Sequence, residues 1–230
     1  MINRQQPETV RNDPNVLQVH SVFNTIQGEG PFVGRPATFI RLAGCNLQCP
    51  LCDTDYTSMV WELHVTKILE LMDEKPYELI VITGGEPFRQ NITRLIHFLL
   101  GEGYIVQVET NGTLDPVAIV GRDSRFHIVC SPKEATISYK LIPYISAYKY
   151  VIHHKYVNEK NGLPTSVLAN TQYENVALPP RAFPRERIYI QPADTGIAGI
   201  DAKNLEASIA ACKEFGYTLG VQLHKIINLP

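Results

Sequence analysis

The sequence predicts an α/β fold on a mainly parallel sheet, whose number of strands favours an open, curved, barrel-like form over a flat one. Three observations lead there. Short runs rich in β-branched residues recur along the chain, and several are apolar without a break, as in strands covered on both faces. Segments with a 3.6-residue apolar period lie between some of them. Alternating strands and helices in turn imply right-handed crossovers and parallel pairing.

The elements follow in order. The chain begins MINRQQPETVRNDPN, polar and without a hydrophobic signal core, so residues 1–15 are expected to be a frayed terminus or a short polar arm before a single domain over residues 16–230. Strands are expected at Leu17–Phe23, Ala37–Ala43, Glu78–Gly84, Tyr104–Thr110, Phe126–Ser131, Lys149–Ile152, Arg187–Pro192 and Thr218–His224. Val65, Ile68, Leu69 and Met72 mark one helix face, and Ile92, Leu95, Ile96 and Leu99 a second that ends at Gly101. Asp201 is expected to cap a third helix, with Leu205, Ile209 and Cys212 on its apolar face and Gly216 as its stop. Lys155–Arg185 carries prolines and little periodicity, and reads as an irregular excursion.

The 230 residues suit one domain, and 44% apolar residues supply a sizeable core. A formal net charge of −2 advertises neither a nucleic acid nor a membrane surface as partner. No apolar run reaches the ~18–20 residues needed to span a bilayer. A cytoplasmic protein, with its cysteines kept reduced, is the expectation.

Three of the five cysteines sit within AGCNLQCPLCDTDY, at Cys45, Cys49 and Cys52. Cysteines this close meet disulfide geometry only with strain, and their number is odd. The spacing lets one loop bring three sulfurs together, which is a metal-site pattern. Zinc with a histidine such as His64 as fourth ligand is one reading. A four-iron cluster with one open iron is the other. Cys130 and Cys212 lack such spacing and read as buried small hydrophobes. His153, His154 and Lys155 read as a solvated strand end.

The short unusual sequences AGCNLQC, TGGEP, ETNGT, CSPK, IQPADTG and LHK all follow expected strands. In parallel sheets ligands gather at the carboxyl ends of strands, so these segments should share one rim. Each is also compatible with an ordinary turn when taken alone.

CxxxCxxC followed by GGEP resembles the radical S-adenosylmethionine (SAM) enzymes. The resemblance implies the partial β/α barrel of that superfamily, a [4Fe-4S] cluster on Cys45, Cys49 and Cys52, and SAM bound at the open iron. It places Gly85, Glu86, Asn111, Ser131, Pro132, Lys133, Gln191, Pro192, Ala193 and Asp194 at the SAM pocket. Leu51 stands where the superfamily usually has an aromatic residue before the third cysteine. The block FNTIQGEGPFVGRPATFIRLAGCN is more specific and is similar to the 7-carboxy-7-deazaguanine synthases (QueE), with Asn24 at a serine position. That family contracts the ring of 6-carboxy-5,6,7,8-tetrahydropterin, releasing ammonia, in queuosine and 7-deazapurine biosynthesis.

By resemblance Ile26, Gln27, Gly28 and Glu29 read the pterin, Arg41 pairs with its carboxylate, and Thr83 and His224 are further substrate contacts. Thr54 contacts Mg²⁺, and the terminal carboxylate of Pro230 enters the pocket. A homodimer and an electron donor such as flavodoxin or ferredoxin are implied as well. Two other classes compete: a radical SAM activase acting on a protein substrate, and a zinc-stabilised α/β protein without turnover.

Overall fold

A computed structural model describes residues 3–50, 52–72, 76–116, 123–166 and 175–229. Its centre is one open nine-stranded sheet. In chain order the strands are β1 (Val16–Ile26), β2 (Pro36–Leu42), β3 (Trp61–His64), β4 (Leu79–Gly84), β5 (Ile105–Thr110), β6 (Phe126–Cys130), β7 (Ile145–Ile152), β8 (Ile188–Pro192) and β9 (Thr218–Leu219). They lie in the order β3-β1-β2-β4-β5-β6-β7-β8-β9. The pairs β3–β1 and β1–β2 are antiparallel, and every pair from β2–β4 to β8–β9 is parallel. The helices are α1 (Val65–Leu71), α2 (Thr93–Gly101), α3 (Ala198–Phe215) and α4 (Leu223–Ile226). Among the described residues no helix is long and apolar enough to cross a membrane.

Strand alternation divides the molecule. Ile40, Leu42, Ile80, Ile82, Val106, Val108, Ile128, Tyr148, Tyr150 and Ile190 point to one face and form the main core with residues of α1 and α2. Ala37, Leu79 and Val81 point the other way and form a small cluster with Phe32, Phe39 and Ile105. That second face carries Arg41, Thr83, Gln107 and Glu109 further along β2, β4 and β5, and Lys149 and Gln191 on β7 and β8. A dry base with polar groups above it, at the strands' carboxyl ends, positions the site.

Several sequence expectations need correction. The arm is not frayed: Asn3–Arg11 hydrogen-bonds along the cysteine loop and the Pro87–Arg89 turn. Strand β3 escapes the sequence pattern because only Leu63 of this four-residue edge strand packs on the core, too little to impose alternation. The last strand ends at Leu219, and His224 lies on α4, since Leu223 N–H turns to the carbonyl of Gly28 at 3.0 Å.

On α3 the buried residues are Asn204, Ser208 and Ala211, while Leu205 and Ile209 remain 38% and 39% exposed and Cys212 is half-buried. Asn204 wins that face because it donates to Ala193 O at 2.8 Å and accepts from His154 N–H at 2.9 Å, which tie the helix to two strand ends. Those contacts also make the His153–His154 end a packed one. Asp201 lies inside α3 and does not cap it from outside; its carboxylate accepts from the backbone and hydroxyl of Thr195. Within the excursion, Leu163, Val176 and Ala177 are buried, and Tyr150 O–H donates to Ala177 O at 2.8 Å.

Candidate active site

Two adjoining cavities open at the carboxyl ends of the parallel strands. The first is lined by Cys45, Cys49 and Cys52 together with Thr54, Thr83, Gly85, Asn111, Ser131, Lys133, Gln191, Pro192 and Asp194. The second is lined by Ile26, Gln27, Gly28, Arg41, Phe39, His224, Lys225 and Leu229. Both share Glu29, Asp53, Thr54, Thr83, Glu109, Lys149 and Gln222, so they form one continuous cleft. Five motif-bearing strand ends therefore meet, joined by LHK from α4.

The cysteine loop leaves β2 and returns under Tyr56, which is 1% exposed. Burial pushes the Cys45 thiol up to about 12 and raises those of Cys49 and Cys52. Without a metal the three stay protonated thiols, and thiolate formation is coupled to ligation. Three soft sulfur donors on one wall of a cleft suit an iron–sulfur cluster. His64 is engaged elsewhere. Its ring bonds Thr66 as the cap of α1, outside the cleft, so His64 is not the fourth ligand of a Cys₃His zinc site. Among the described residues no three ligating side chains are arranged to hold a single ion.

The GGEP turn packs against the root of that loop. A Cβ on Gly85 would stand 1.9 Å from Gly44 O, so only glycine lets the β4 end approach. Glu86 is fully buried and lines neither cavity; its carboxylate accepts from Phe88 N–H, Thr110 Oγ1 and Asn111 N–H at 2.7–3.0 Å. Burial pushes its carboxyl up to about 7 against those bonds. Asn111 donates to Asn46 Oδ1 at 2.9 Å, joining the β5 end to the cysteine loop. Lys133 Nζ donates to Ser131 Oγ at 2.6 Å, and burial lowers its pKa. Pro132 and Ala193 are buried and line neither cavity.

The charged side chains of the second cavity are met by ionic or hydrogen-bonding partners, with one exception among the described residues. Burial alone would raise the Glu29 carboxyl, but the Lys149 ammonium and the Gln222 amide hold it well below the usual carboxylate range, and Gln191 Nε2 donates to it at 3.0 Å. Glu109 accepts from Gln107 (2.9 Å), Gln27 (3.1 Å) and Thr83 Oγ1 (3.1 Å). Lys225 bridges Asp53 and Asp194 at 3.0 and 2.7 Å. Arg41 is the exception: it lies over the Phe23 ring at 5.2 Å, and its buried Nε has no hydrogen-bond partner. Burial lowers its pKa while Asp53, Asp55 and Glu109 oppose the shift. An arginine does not lose its proton in such a setting, so the free fork is a standing invitation to an anion.

Sequence reasoning misses Asp53, Glu109, Lys149 and Gln222. The signal for Glu109 and Lys149 is a charged residue on one alternating face of an otherwise apolar strand. Pro230 and Leu51 lie outside the described residues.

No protein-family model matches the chain. Over 235 residues it is 40% identical to the 7-carboxy-7-deazaguanine synthase of Rhodospirillum rubrum, spanning 94% of each sequence. The chain belongs to the 7-carboxy-7-deazaguanine synthase family. It is also 36% identical to the synthase of Rickettsia prowazekii over 94% of the chain and 90% of that protein. The synthase of Aquifex aeolicus is 35% identical over 96% and 97%. In fold it is similar to the crystal structure of QueE from Escherichia coli, with a TM-score of 0.66 and 20% identity over 91% of this chain and 95% of that one. Family membership makes the chain an enzyme of the radical SAM type, with an iron–sulfur cluster and SAM as cofactors. The activase and the non-enzymatic zinc protein are thereby set aside.

Proposed function

We infer that the chain converts 6-carboxy-5,6,7,8-tetrahydropterin to 7-carboxy-7-deazaguanine with loss of ammonia, a lyase step of queuosine and 7-deazapurine synthesis. The observation that carries this reading is Arg41: a half-buried side chain whose buried Nε has no partner, in the cavity that adjoins the three thiols. A carboxylate-bearing substrate supplies what it lacks.

Cys45, Cys49 and Cys52 would hold the cluster, and Gly85, Asn111, Ser131, Lys133, Gln191 and Asp194 would bound SAM beside it. When bound, these groups supply the hydrogen-abstracting radical chemistry. The chain's own residues do the rest. Arg41 holds the substrate carboxylate. The Glu29 carboxylate, kept ionised by Lys149, accepts from the amino and ring N–H groups of the pterin. Phe39, which stacks on Phe23 at 5.5 Å, gives the cavity an apolar floor that excludes water. Thr54 offers Mg²⁺ a hydroxyl, and substrate and water oxygens complete its hard-ligand shell. His224 closes the far side from α4. A homodimer in the cytoplasm, served by a flavodoxin- or ferredoxin-type reductant, belongs to the same reading through the family resemblance.

Arg41→Lys tests it. Lysine keeps the charge and loses the fork. The KM for the carboxypterin should rise roughly 10–100-fold, the scale of a lost hydrogen bond to a charged group. The KI of a pterin lacking the carboxylate should stay as in wild type. Equal losses for both compounds would overturn the placement of the carboxylate on Arg41.

A further inference from the structure

The cysteine loop is almost bare of secondary structure: between β2 and β3 the described residues form only turns, bends and irregular chain. Its backbone groups still need partners. Many are supplied by the polar N-terminal segment. Asn3 N–H donates to Pro50 O at 2.9 Å, and its side-chain amide donates to Cys49 O at 3.1 Å. Gln5 serves both ways, donating to Thr54 O at 2.9 Å and accepting from Tyr56 N–H at 2.8 Å. Glu8 N–H donates to Cys45 O at 2.7 Å.

The far end of the segment is anchored on a buried cation. Arg89, 1% exposed, donates to Thr9 O at 3.0 Å and pairs with Glu8 at 3.2 Å, while Arg11 N–H donates to Arg89 O at 2.7 Å. Arg89 also donates to Ala43 O at 2.8 Å, at the root of the cysteine loop. The segment is thus fixed at one end to the turn after GGEP and laid along the backbone beside all three thiols. An amide side chain, with donor and acceptor together, is the residue type that can stand in for a missing strand partner. This explains the run of Asn and Gln where a frayed terminus needs no particular residue.

We propose that Asn3–Arg11 is a positioning strap that holds the three-cysteine loop in its cluster-receiving shape before any cluster is present, with Gln5 as its central residue. The consequence for cluster retention rests on the cysteine assignment above; the loop-holding role does not.

The test uses the full chain in two states. In the iron-free protein, amide hydrogen exchange over residues 45–57 should quicken at least roughly fivefold in Gln5→Ala, the scale of one or more lost hydrogen bonds. Exchange in β4, β5 and β6 should stay as in wild type. Gln5→Glu retains the acceptor for Tyr56 N–H and should recover part of the protection. Arg11→Ala, which removes only an exposed pair with Glu62 from the same segment, should leave the loop unchanged. In the reconstituted protein, Gln5→Ala should lose iron to a chelator faster by a similar factor at unchanged initial iron content.

Unaltered exchange over residues 45–57 would overturn the proposal, as would a rise spread equally over β4–β6. Should the wild type take up no iron at all, the cysteine assignment fails, and the exchange experiment still decides the strap.

Discussion

Gly28→Ala puts the joint between the QGEG turn and the carboxyl-terminal helix to a direct test. A Cβ at residue 28 would lie 2.1 Å from His224 Nδ1, 2.8 Å from its Cγ and 2.9 Å from its backbone nitrogen. Ordinary contact between heavy atoms is about 3.5–4.0 Å, so the ring must retreat by at least ~1.4 Å. Turning the His224 ring relieves the first two collisions. The third is with backbone, and about 0.6 Å of overlap there remains unless α4 itself moves. Helix α4 is tied down by Leu223 N–H on Gly28 O and by Lys225 on Asp53 and Asp194, so its shift is felt in the cavity. A displacement near 1 Å of a positioning element costs on the order of 10²-fold in turnover. Anaerobic steady-state kinetics with the carboxypterin should show that loss, with iron content and uncoupled SAM cleavage unchanged. Adding His224→Ala should not restore turnover, because the backbone collision stays. A Gly28→Ala enzyme with wild-type KM and kcat would refute the placement of α4 against the substrate.

Other outcomes follow from the same geometry. Cys45→Ala, Cys49→Ala and Cys52→Ala should each lose the brown absorbance and the iron of the reconstituted protein, whereas Cys130→Ala, a core substitution at a fully buried position, should keep both. Thr54→Ala should raise the Mg²⁺ concentration for half-maximal rate by roughly tenfold in a metal titration; an unchanged titration would remove Thr54 from the metal. Glu86 sets a pH trend. Burial holds its carboxyl at about 7 in the fold against an ordinary 4.5, so the folded state binds that proton more tightly than the unfolded chain. The resulting stability is full below the ordinary value and is lost as pH rises through about 7. Calorimetric Tm of the iron-free protein should therefore fall between about pH 5 and pH 8. Glu86→Gln should flatten that trend, while lowering Tm overall because its amide would face N–H and O–H donors. A slope identical to wild type would show that Glu86 does not titrate in this range.

Most of the parallel sheet is legible in the sequence because its strands carry uninterrupted β-branched runs that face helices on one side and a packed base on the other. The rim is legible because GGEP, ETNGT and the cysteine loop, each compatible with an ordinary turn alone, all follow strands of one parallel sheet. What the sequence conceals is long-range. The polar arm reads as idle because its partners are backbone carbonyls some 46 and 49 residues away, which no local pattern records. Leu205 and Ile209 suggest the wrong face of α3, since the buried bonds of Asn204 to two strand ends outweigh two apolar side chains. Glu109 and Lys149 are hidden inside strand runs, where a single charge reads as an exposed position until neighbouring strands place it opposite Thr83 and Glu29. TLGVQLH alternates and so reads as a strand through His224, yet the pairing with β8 stops at Leu219 and the chain turns back onto Gly28.

The reaction we infer places a carboxylated pterin in this cleft, next to a three-cysteine cluster. The direct measurement is anaerobic incubation of the reconstituted protein with SAM, a reductant, Mg²⁺ and 6-carboxy-5,6,7,8-tetrahydropterin, followed by mass detection. The expected result is accumulation of 7-carboxy-7-deazaguanine with one ammonia per product and without stoichiometric consumption of SAM. Cleavage of SAM in protein with a full cluster, with the pterin recovered unchanged, would contradict it.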